Sequence, residues 1–453
     1  MKRFNDLFMQ LATRTDISVV WNDFLTYSIQ MLSGSEIELL YQYTERELQL
    51  FRYLFNYWQE LTEKLIEKHG YYDFCGVFYE KYILASEKSS NKGQFFTPQT
   101  ICNLLTYTCP TNKKVVYDPA CGSGRMGLSY YQVNPNFQFI GEDLDETACK
   151  MTVLNMYSHM INGSVNWINT LTREHHCTWI IEDELIRISD TPTPLEYDLC
   201  LANPPYGVKW EGTKDMLKDR RFHDYGVLAP KSKGDFAFIQ HSLHYLKEKG
   251  QACIVLPHGV LFRGQKEGTI REYIINNNWL DAVIGLPPNL FEGTGIPVAL
   301  LIFKKDRVKQ DTIFIDASNL FEKERKTNYM TSEHVDEVVS AYLARENIDK
   351  FSFVANLEFI QDNGYNCNIP RYVDTFEEEE EVDLKRLIQD MEWNCDEQIK
   401  INSELKSYFE ELELTTIQFD KEIERLEDTK ETVLKEAKTV VQSSLDSFMG
   451  LNK

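Results

Sequence analysis

The chain of 453 residues has no apolar run of about 18 residues, the length a membrane-spanning helix needs, so a membrane span is not expected. The opening MKRFNDLFMQ has neither an apolar signal core nor a small-residue cleavage site, so export is not expected and a cytoplasmic location is. Ten cysteines are scattered without a single Cys-x-x-Cys pair, which points to reduced, packed thiols rather than a disulfide frame or a zinc site. No internal repeat is visible. Positive charge is also scarce: 48 Lys+Arg stand against 70 Asp+Glu, a formal charge of −22. Phosphate neutralisation supplies most of the affinity of a protein that grips nucleic acid alone, so a chain this acidic is a poor clamp by itself. The segment from Thr375 onwards, with 22 acidic and 10 basic residues, carries about half of the imbalance.

What is present is ordinary globular composition, 43% hydrophobic and 26% charged, at a length of about three domains. Residues 1 to 90 predict a helical domain, with apolar residues at three- and four-residue spacing through Phe51, Leu54, Trp58, Leu61 and Leu65. Glu87 to Gly93 reads as a polar linker. Residues 91–312 then alternate short apolar runs with helical stretches. Strands are predicted at Val115–Tyr117, Phe137–Ile140, Val165–Ile168, Tyr197–Ala202, Ala252–Leu256, Asp281–Leu286 and Val298–Phe303. Crossover helices are expected at Glu146–Met160 and Phe236–Lys247. That rhythm argues for a doubly wound, seven-stranded α/β sheet. The Pro/Gly-rich loop between the last two strands leaves no room for a crossover helix, so an antiparallel hairpin at the sheet edge is expected there. Beyond Asp311 the strand rhythm fades. The remaining residues, 313–453, hold five consecutive acids at Glu377–Glu381. Two heptad-like apolar stretches follow, from Leu384 to Leu412 and from Phe419 to Val440, and they predict two helices folded back on each other or forming an arm.

Three elements carry chemistry. Asp118-Pro-Ala-Cys-Gly-Ser-Gly124 follows the first strand directly. Glycines at a strand-to-helix turn allow close backbone approach to a ligand and leave helix N–H groups free to meet it. Gly122, Gly124 and Gly127 also satisfy the Gly-x-Gly-x-x-Gly spacing, so this element alone does not separate a dinucleotide from another adenosine-bearing cofactor. The second strand ends in Gly141-Glu-Asp-Leu-Asp145, where Asp143 is placed to accept ribose hydroxyls and Asp145 reads better as a helix cap.

The third element is Leu201-Ala-Asn-Pro-Pro-Tyr-Gly207, at the end of strand Tyr197–Ala202. Methylating an exocyclic amine requires that a delocalised nitrogen lone pair be freed for in-line attack on a sulfonium methyl. The Asn203 amide oxygen and the Pro204 carbonyl could accept the two amine protons. Pro204 and Pro205 would fix the turn, and Tyr206 would stack on a base taken out of its duplex. This tilts the cofactor toward S-adenosylmethionine.

Asn-Pro-Pro-Tyr downstream of Asp-Pro-Ala-Cys-Gly-Ser-Gly resembles the amino-group DNA methyltransferases that make N6-methyladenine. Gly93-Gln-Phe-Phe-Thr-Pro98, Leu256-Pro-His-Gly-Val-Leu-Phe-Arg263, Ile284-Gly-Leu-Pro-Pro-Asn-Leu-Phe291, Gly293-Thr-Gly-Ile-Pro297 and Asn368-Ile-Pro-Arg-Tyr372 are similar to the modification subunit of type I restriction-modification systems. The resemblance covers about Gly93 to Leu412. It implies a methyltransferase fold with an N-terminal helical domain and a C-terminal helical region docking on a DNA-specificity subunit. It also implies two copies per specificity chain and a nuclease-translocase (restriction) subunit as a further partner. By position, the methionine end of S-adenosylmethionine would meet Gln94, Phe95, Phe96, Thr97, Pro98 and Gln99, with Thr97 on its carboxylate. Asp118, Ala120, Gly122, Ser123, Gly124 and Arg125 would form the glycine loop, and Asp143 would take the ribose.

The sequence departs from that family in two places. Asp143 stands where relatives often have Glu, and Asn169 stands where an Asp commonly meets the adenine amine. Read from the residues alone, Thr97 is a helix N-cap with Pro98 at the first position. No metal is expected: His175-His176 reads as a loop pair whose acidic and thiol neighbours are adjacent rather than at ligand spacing. Cys121 lacks a partner base and reads as a packed residue. Lys214–Arg221 with Lys231-Ser-Lys233 forms a basic loop suited to phosphates or to plain solvation. Methylation of a protein glutamine or of RNA, a stand-alone DNA methyltransferase, and a non-catalytic assembly protein are the competing functions.

Overall fold

The computed structural model describes residues 1–36, 38–85, 96–291, 295–324, 327–375 and 384–448. Gln94, Phe95, the predicted linker, the Glu377–Glu381 acids and part of the Gly293–Pro297 motif lie outside them. The chain divides into two compact units, Met1–Thr375 and Phe376–Lys453.

In the first unit, helices Ile17–Ser33 and Glu45–His69 start where the sequence supplies caps. The Asp16 side chain accepts from the Ser18 amide, and Thr44 and Glu47 form a capping box. Each ends at a glycine in the left-handed region, Gly34 and Gly70, as a helix C-terminus favours. The expected apolar stripe holds: Phe51, Leu54 and Trp58 are buried, and Leu61 and Leu65 are partly buried. Phe4, Phe8, Trp21, Phe24 and Phe78 pack ring to ring around them.

The sheet has strands β1 (Val115–Asp118), β2 (Gln138–Asp143), β3 (Gly163–Ile168), β4 (His175–Glu182), β5 (Leu185–Ser189), β6 (Tyr197–Ala202), β7 (Leu246–Pro257), β8 (Leu280–Gly285), β9 (Val298–Lys304), β10 (Asp311–Asp316) and β13 (Ser352–Asn356). Strands β11 (Glu322–Lys323) and β12 (Asn328–Tyr329) form a separate short ribbon. The order of the main sheet is β13-β10-β8-β9-β7-β6-β1-β2-β3-β4-β5, with β3, β2, β1, β6 and β7 parallel. Helices on both faces bury these strands on both sides, hence their near-continuous apolar runs. The chain leaves β1 toward β2 and β3, then returns to the other side of β1 with β6. The order therefore reverses between β1 and β6, and the carboxyl ends of these two strands frame the crevice where ligands of such sheets bind.

All seven predicted strands are present, within a sheet of eleven. The β8–β9 pair is antiparallel as expected, but it is interior and not at the edge. β9 is hydrogen-bonded to both β7 and β8, and β10 and β13 extend the sheet beyond β8. The strand rhythm does not stop at Asp311: Thr312-Ile313-Phe314-Ile315 forms β10, parallel to β8. At the other edge, His175 and His176 begin strand β4 and are not a loop pair.

Helices Leu384–Glu411 and Ile417–Phe448 make up the second unit. Phe409 and Phe419 meet at the turn, their ring centroids 4.9 Å apart, and Lys430 reaches back to Asp396 at 2.6 Å. The two predicted helices are thus folded back on each other. Trp393, Ile401 and Tyr408 remain exposed on the first of them, and Leu412 in the turn that follows it. The side chains of Leu384, Leu387 and Val440 are outside the described set.

Asp281, buried at the start of β8, ties the late segments into the sheet. It pairs with Lys304 at 3.0 Å, Arg307 at 3.1 Å and Arg345 at 3.1 Å, and accepts from the Tyr342 hydroxyl at 2.7 Å. Burial pushes its carboxyl up, but these cations more than offset the effect and leave it below the usual value of 3.8. Asp281→Asn is therefore expected to lower the unfolding free energy by about 3 kcal/mol at neutral pH, because two largely buried guanidiniums are left to share Asp311 as their counter-charge. The contribution is full above the unfolded value and disappears as pH falls through the lower folded value, so the mutant's deficit should shrink in acid. Urea denaturation at neutral and acid pH reads both; an unchanged midpoint at neutral pH would contradict the assignment.

Candidate active site

The glycine loop is shaped by two left-handed residues, Gly122 at φ +55° and Gly124 at φ +82°. A Cβ on Gly124 would stand 3.0 Å from Thr152 Cγ2, so the loop closes onto the neighbouring helix only as glycine. Below it, Asp118 accepts from the Ala120 amide at 3.0 Å. Asp143 spans loop and second strand: one oxygen accepts from Gly122 N at 2.9 Å, the other from Asp145 N at 2.9 Å. Asp145 caps the next helix through Ala148 N, as expected. Burial raises the Asp118 carboxyl to about 8, with Asp143 adding to the rise and the Ala120 amide opposing it. Burial likewise raises Asp143 to about 6, against its two amide donors.

Ser123 and Arg125 lie in the loop as predicted, but their side chains turn toward the N-terminal helices. Ser123 Oγ donates to Asp73 Oδ2 at 2.7 Å, and Arg125 Nε donates to the same oxygen at 2.8 Å. Asn155 Nδ2 bridges Asp73 Oδ1 at 2.7 Å and the Ser123 carbonyl at 2.8 Å. Arg125 continues to Glu80 at 2.6 Å and to the Thr97 carbonyl at 3.0 Å. Burial alone would lower the Arg125 guanidinium; Asp73 and Glu80 outweigh it and hold the charge in place. Phe96 lies near the guanidinium, 5.4 Å from ring centroid to Cζ.

The Asn-Pro-Pro-Tyr turn leaves β6 beside this loop. Asn203 Nδ2 donates to Thr97 Oγ1 at 2.9 Å, and the Tyr206 hydroxyl donates to Asn203 Oδ1. Pro204 is buried and Pro205 exposed. Tyr206 stands edge-on to Phe291, centroids 6.2 Å apart at 88°, and burial followed by the Asp235 charge raises its hydroxyl pKa. The turn ends at Gly207, φ +60°, whose amide is held at 2.7 Å by fully buried Asp235; the other Asp235 oxygen pairs with Arg263 at 3.1 Å. Arg263 belongs to the Leu256–Arg263 motif, so that motif positions the turn.

Thr97 is one residue outside the expected cap: Pro98 is the N-cap, and the helix is Gln99–Tyr107. Pro98 is extended, and the Thr97 hydroxyl is used by Asn203 rather than by the helix. Gln99 Nε2 donates to Asn103, inside its own helix. Asn169 closes its own loop, Oδ1 accepting from Leu171 N and Thr172 N, both at 3.1 Å. Cys121 is buried and its thiol is pushed up by burial, with Asp143 and Asp118 adding to the rise, the reverse of activation.

Residues that sequence reasoning missed are Asp73, Glu80, Asp235 and a buried relay beneath the crevice. There Arg221 faces His241 Nδ1 at 3.1 Å, His241 Nε2 faces the Tyr117 hydroxyl at 2.8 Å, and Tyr117 donates to Glu142 at 2.8 Å, which Arg173 neutralises. Burial and then the Arg221 and Arg173 charges keep His241 neutral, so the order of donors is fixed. Each such carboxylate lies far in sequence from what it holds, and no local motif marks it.

A doubly wound sheet with β9 reversed between β7 and β8, a glycine loop after β1 and Asn-Pro-Pro-Tyr after β6 defines the architecture of an amino-group methyltransferase. Residues 71–381 match the N-6 DNA Methylase family. The chain is 34% identical to the type I restriction enzyme MpnII methylase subunit of Mycoplasma pneumoniae, over 76% of this chain and 64% of that one. It is 29% identical to the MjaVIII methylase subunit of Methanocaldococcus jannaschii, over 75% and 60%. Among solved structures, the type I restriction-modification methyltransferase subunit from Streptococcus thermophilus matches at 39% identity and TM-score 0.57, covering 62% of this chain and 60% of that one. The protein belongs to the N-6 DNA methylase family. It spans about three fifths of the length of the curated relatives it matches. Among the described residues no cluster of metal-binding side chains occurs, and no helix is long and apolar enough to cross a membrane.

Two outcomes follow from the electrostatics. Asp73→Ala strands Arg125 with half of its counter-charge and is expected to destabilise the fold by about 3–5 kcal/mol, read by chemical denaturation. The raised Asp118 carboxyl favours the fold while protonated, so its contribution falls as pH rises from about 3.8 toward about 8. Asp118→Asn, which can still accept from Ala120, should flatten that decline; an identical pH profile of the melting temperature in both proteins would refute it.

Proposed function

We propose that the chain transfers a methyl group from S-adenosylmethionine to the N6 amine of adenine in a specific DNA sequence. In this reading it is the modification subunit of a type I restriction-modification complex, with a DNA-specificity subunit and a nuclease-translocase subunit as partners. The observation that carries the reading is the Asn203 amide, held between Thr97 and Tyr206 at the switch point of the sheet, beside a glycine loop and the Asp143 carboxylate.

The donor set fits the cofactor. Asp143 spends one lone pair of each oxygen on backbone amides, and a carboxylate oxygen has a second to offer a ribose hydroxyl. Gly122 leaves the loop open, its nearest neighbour to an added Cβ being the Phe96 ring at 3.8 Å. Thr97, Phe96 and the loop backbone at Ser123 complete the cradle, the Gly122 and Gly124 amides being spent on Asp143 and the Cys121 carbonyl. Asn169, whose amide oxygen already holds two loop amides, would meet the adenine end through a remaining lone pair or its backbone. S-adenosylmethionine supplies an electrophilic methyl when bound.

The chain's own residues then act on the target. Asn203 Oδ1 and the Pro204 carbonyl accept the amine protons, localising the nitrogen lone pair for in-line attack, and Tyr206 stacks on the extruded base. The carboxyls that burial raises, Asp118 and Asp143, are held by loop amides rather than by the Asn-Pro-Pro-Tyr turn, so no general base is assigned and the proton leaves to water after transfer. The acidic helical pair Leu384–Glu411 and Ile417–Phe448, with exposed Trp393 and Tyr408, is assigned to docking on the specificity subunit.

Methyl transfer from tritiated cofactor to DNA, protein and RNA, with and without the product of the neighbouring gene, tests the reading. Incorporation into DNA adenine is expected only in the complex, and the chain truncated after Thr375 should not assemble. Label in protein or RNA, or sequence-specific methylation by the isolated chain, would replace it. Asn203→Ala should abolish transfer with cofactor affinity nearly intact, and Asp143→Ala should weaken that affinity by roughly ten- to a hundredfold, measured by calorimetry.

A further inference from the structure

An asparagine amide has two ends of nearly the same shape and opposite polarity: Oδ1 accepts and Nδ2 donates. Turned the wrong way, Asn203 would present donors to the donors of a target amine. Something must therefore fix its direction, and the neighbours that could do so are two hydroxyls, each able to donate or accept. Thr97 Oγ1 accepts from Nδ2, and the Tyr206 hydroxyl gives its proton to Oδ1. The arrangement is self-consistent only while Thr97 sends its own proton elsewhere. Among the described residues none accepts that proton, although Thr97 is buried and its backbone is fixed: its carbonyl accepts from Arg125 Nη1 at 3.0 Å, and Arg125 is pinned by Asp73 and Glu80.

The geometry points to Thr97 as a positioning residue that sets the polarity of Asn203. With its proton drawn off by an acceptor in the donor crevice, the Thr97 oxygen can only accept, Nδ2 must face it, and Oδ1 is left facing the target. The Tyr206 hydroxyl then serves as a place-holder on Oδ1, making the hydrogen bond that the target amine takes over when the base enters and the ring becomes its stacking surface. This rests on the methyltransferase reading above, in which the acceptor for the Thr97 proton is the carboxylate of the cofactor. It adds a consequence that reading does not contain: the site recognises the amine of its target only when the carboxylate end of the donor crevice is filled.

The test uses the full chain with its specificity partner and the DNA sequence it methylates, carrying either adenine or purine, which lacks the amine, at the target position. Binding is measured by competition at saturating S-adenosylhomocysteine, which has the carboxylate, and at saturating methylthioadenosine, which lacks it. The wild-type complex is expected to prefer adenine over purine by roughly tenfold with the first and to show no preference with the second. Thr97→Val should lose the preference with both, while Thr97→Ser keeps it. At saturating S-adenosylmethionine, kcat should fall roughly ten- to a hundredfold in the Val variant and stay within about threefold of wild type in the Ser variant. Tyr206→Phe, which keeps the ring and removes the place-holder, should leave the adenine preference equal or larger. A Val variant with undiminished preference, a wild-type preference that survives with methylthioadenosine, or a Phe variant that loses discrimination would each overturn the proposal. Wild-type complex that methylates no DNA would instead overturn the reading beneath it.

Discussion

One carboxylate organises the glycine-loop side of this molecule. Asp73 is buried at the start of a short helix in the N-terminal region, and its two oxygens receive Ser123, Arg125, Asn155 and the Gly76 amide. The glycine loop has two residues in the left-handed region and little side-chain substance of its own, so its shape must be imposed from outside. Asp73 does this from above, Asp143 from the second strand and Thr152 from the following helix, whose hydroxyl donates to the Gly122 carbonyl at 2.9 Å. The helical N-terminal region is therefore the roof of the glycine loop, and a buried ion pair is tolerable there because every polar atom of it is satisfied.

How much of this was legible in the sequence depends on whether a residue's partner is local. The glycine loop, the Asp145 cap and the Asn-Pro-Pro-Tyr turn are written in contiguous residues, and all three fall where expected. Strand β4 was missed for a specific reason. Its hairpin to β5 turns on Asp183 and Glu184, both left-handed at φ +49° and +64°, a conformation usually announced by Asn-Gly. Without that signal, Thr178 to Ile181 reads as an isolated apolar run. β10 was missed because the polar stretch Lys305–Gln310 separates it from the preceding strand, and the parallel partner that stabilises it, β8, lies some thirty residues earlier. Asp73, Asp235 and Asp281 were illegible on other grounds: each is an ordinary acid in sequence and acquires meaning only through partners dozens of residues away.

Charge tells a similar story. Arg125, Arg221, Arg307 and Arg345 are largely buried and committed to internal carboxylates and carbonyls. They contribute to the count of basic residues but are unavailable to phosphates. Exposed cations on the loop that follows the Asn-Pro-Pro-Tyr turn include Lys209, Lys214, Lys218, Arg220 and Lys231, and the loop is closed at its neck by the Gly234 amide on the Val208 carbonyl. With a net charge of −22, the chain has few free cations to set against its acidic surface.

The interior position of β9 has a bearing on how the chain comes to be folded at all. β7 and β8 do not touch as strands; each is hydrogen-bonded to β9, which the ribosome makes after both. Until residues 298–304 emerge, β7 is an open edge of the parallel strands and β8 has neither of its neighbours, since β10 also follows β9 in the chain; both are strongly apolar and both able to pair with a foreign strand. β9 is the keystone: one late segment, reversed in direction, closes two exposed edges in a single insertion. The nascent protein is thus most vulnerable to mispairing in the interval between synthesis of β7 and synthesis of β9, and a fold whose finished sheet hides those edges must pass through a stage that displays them.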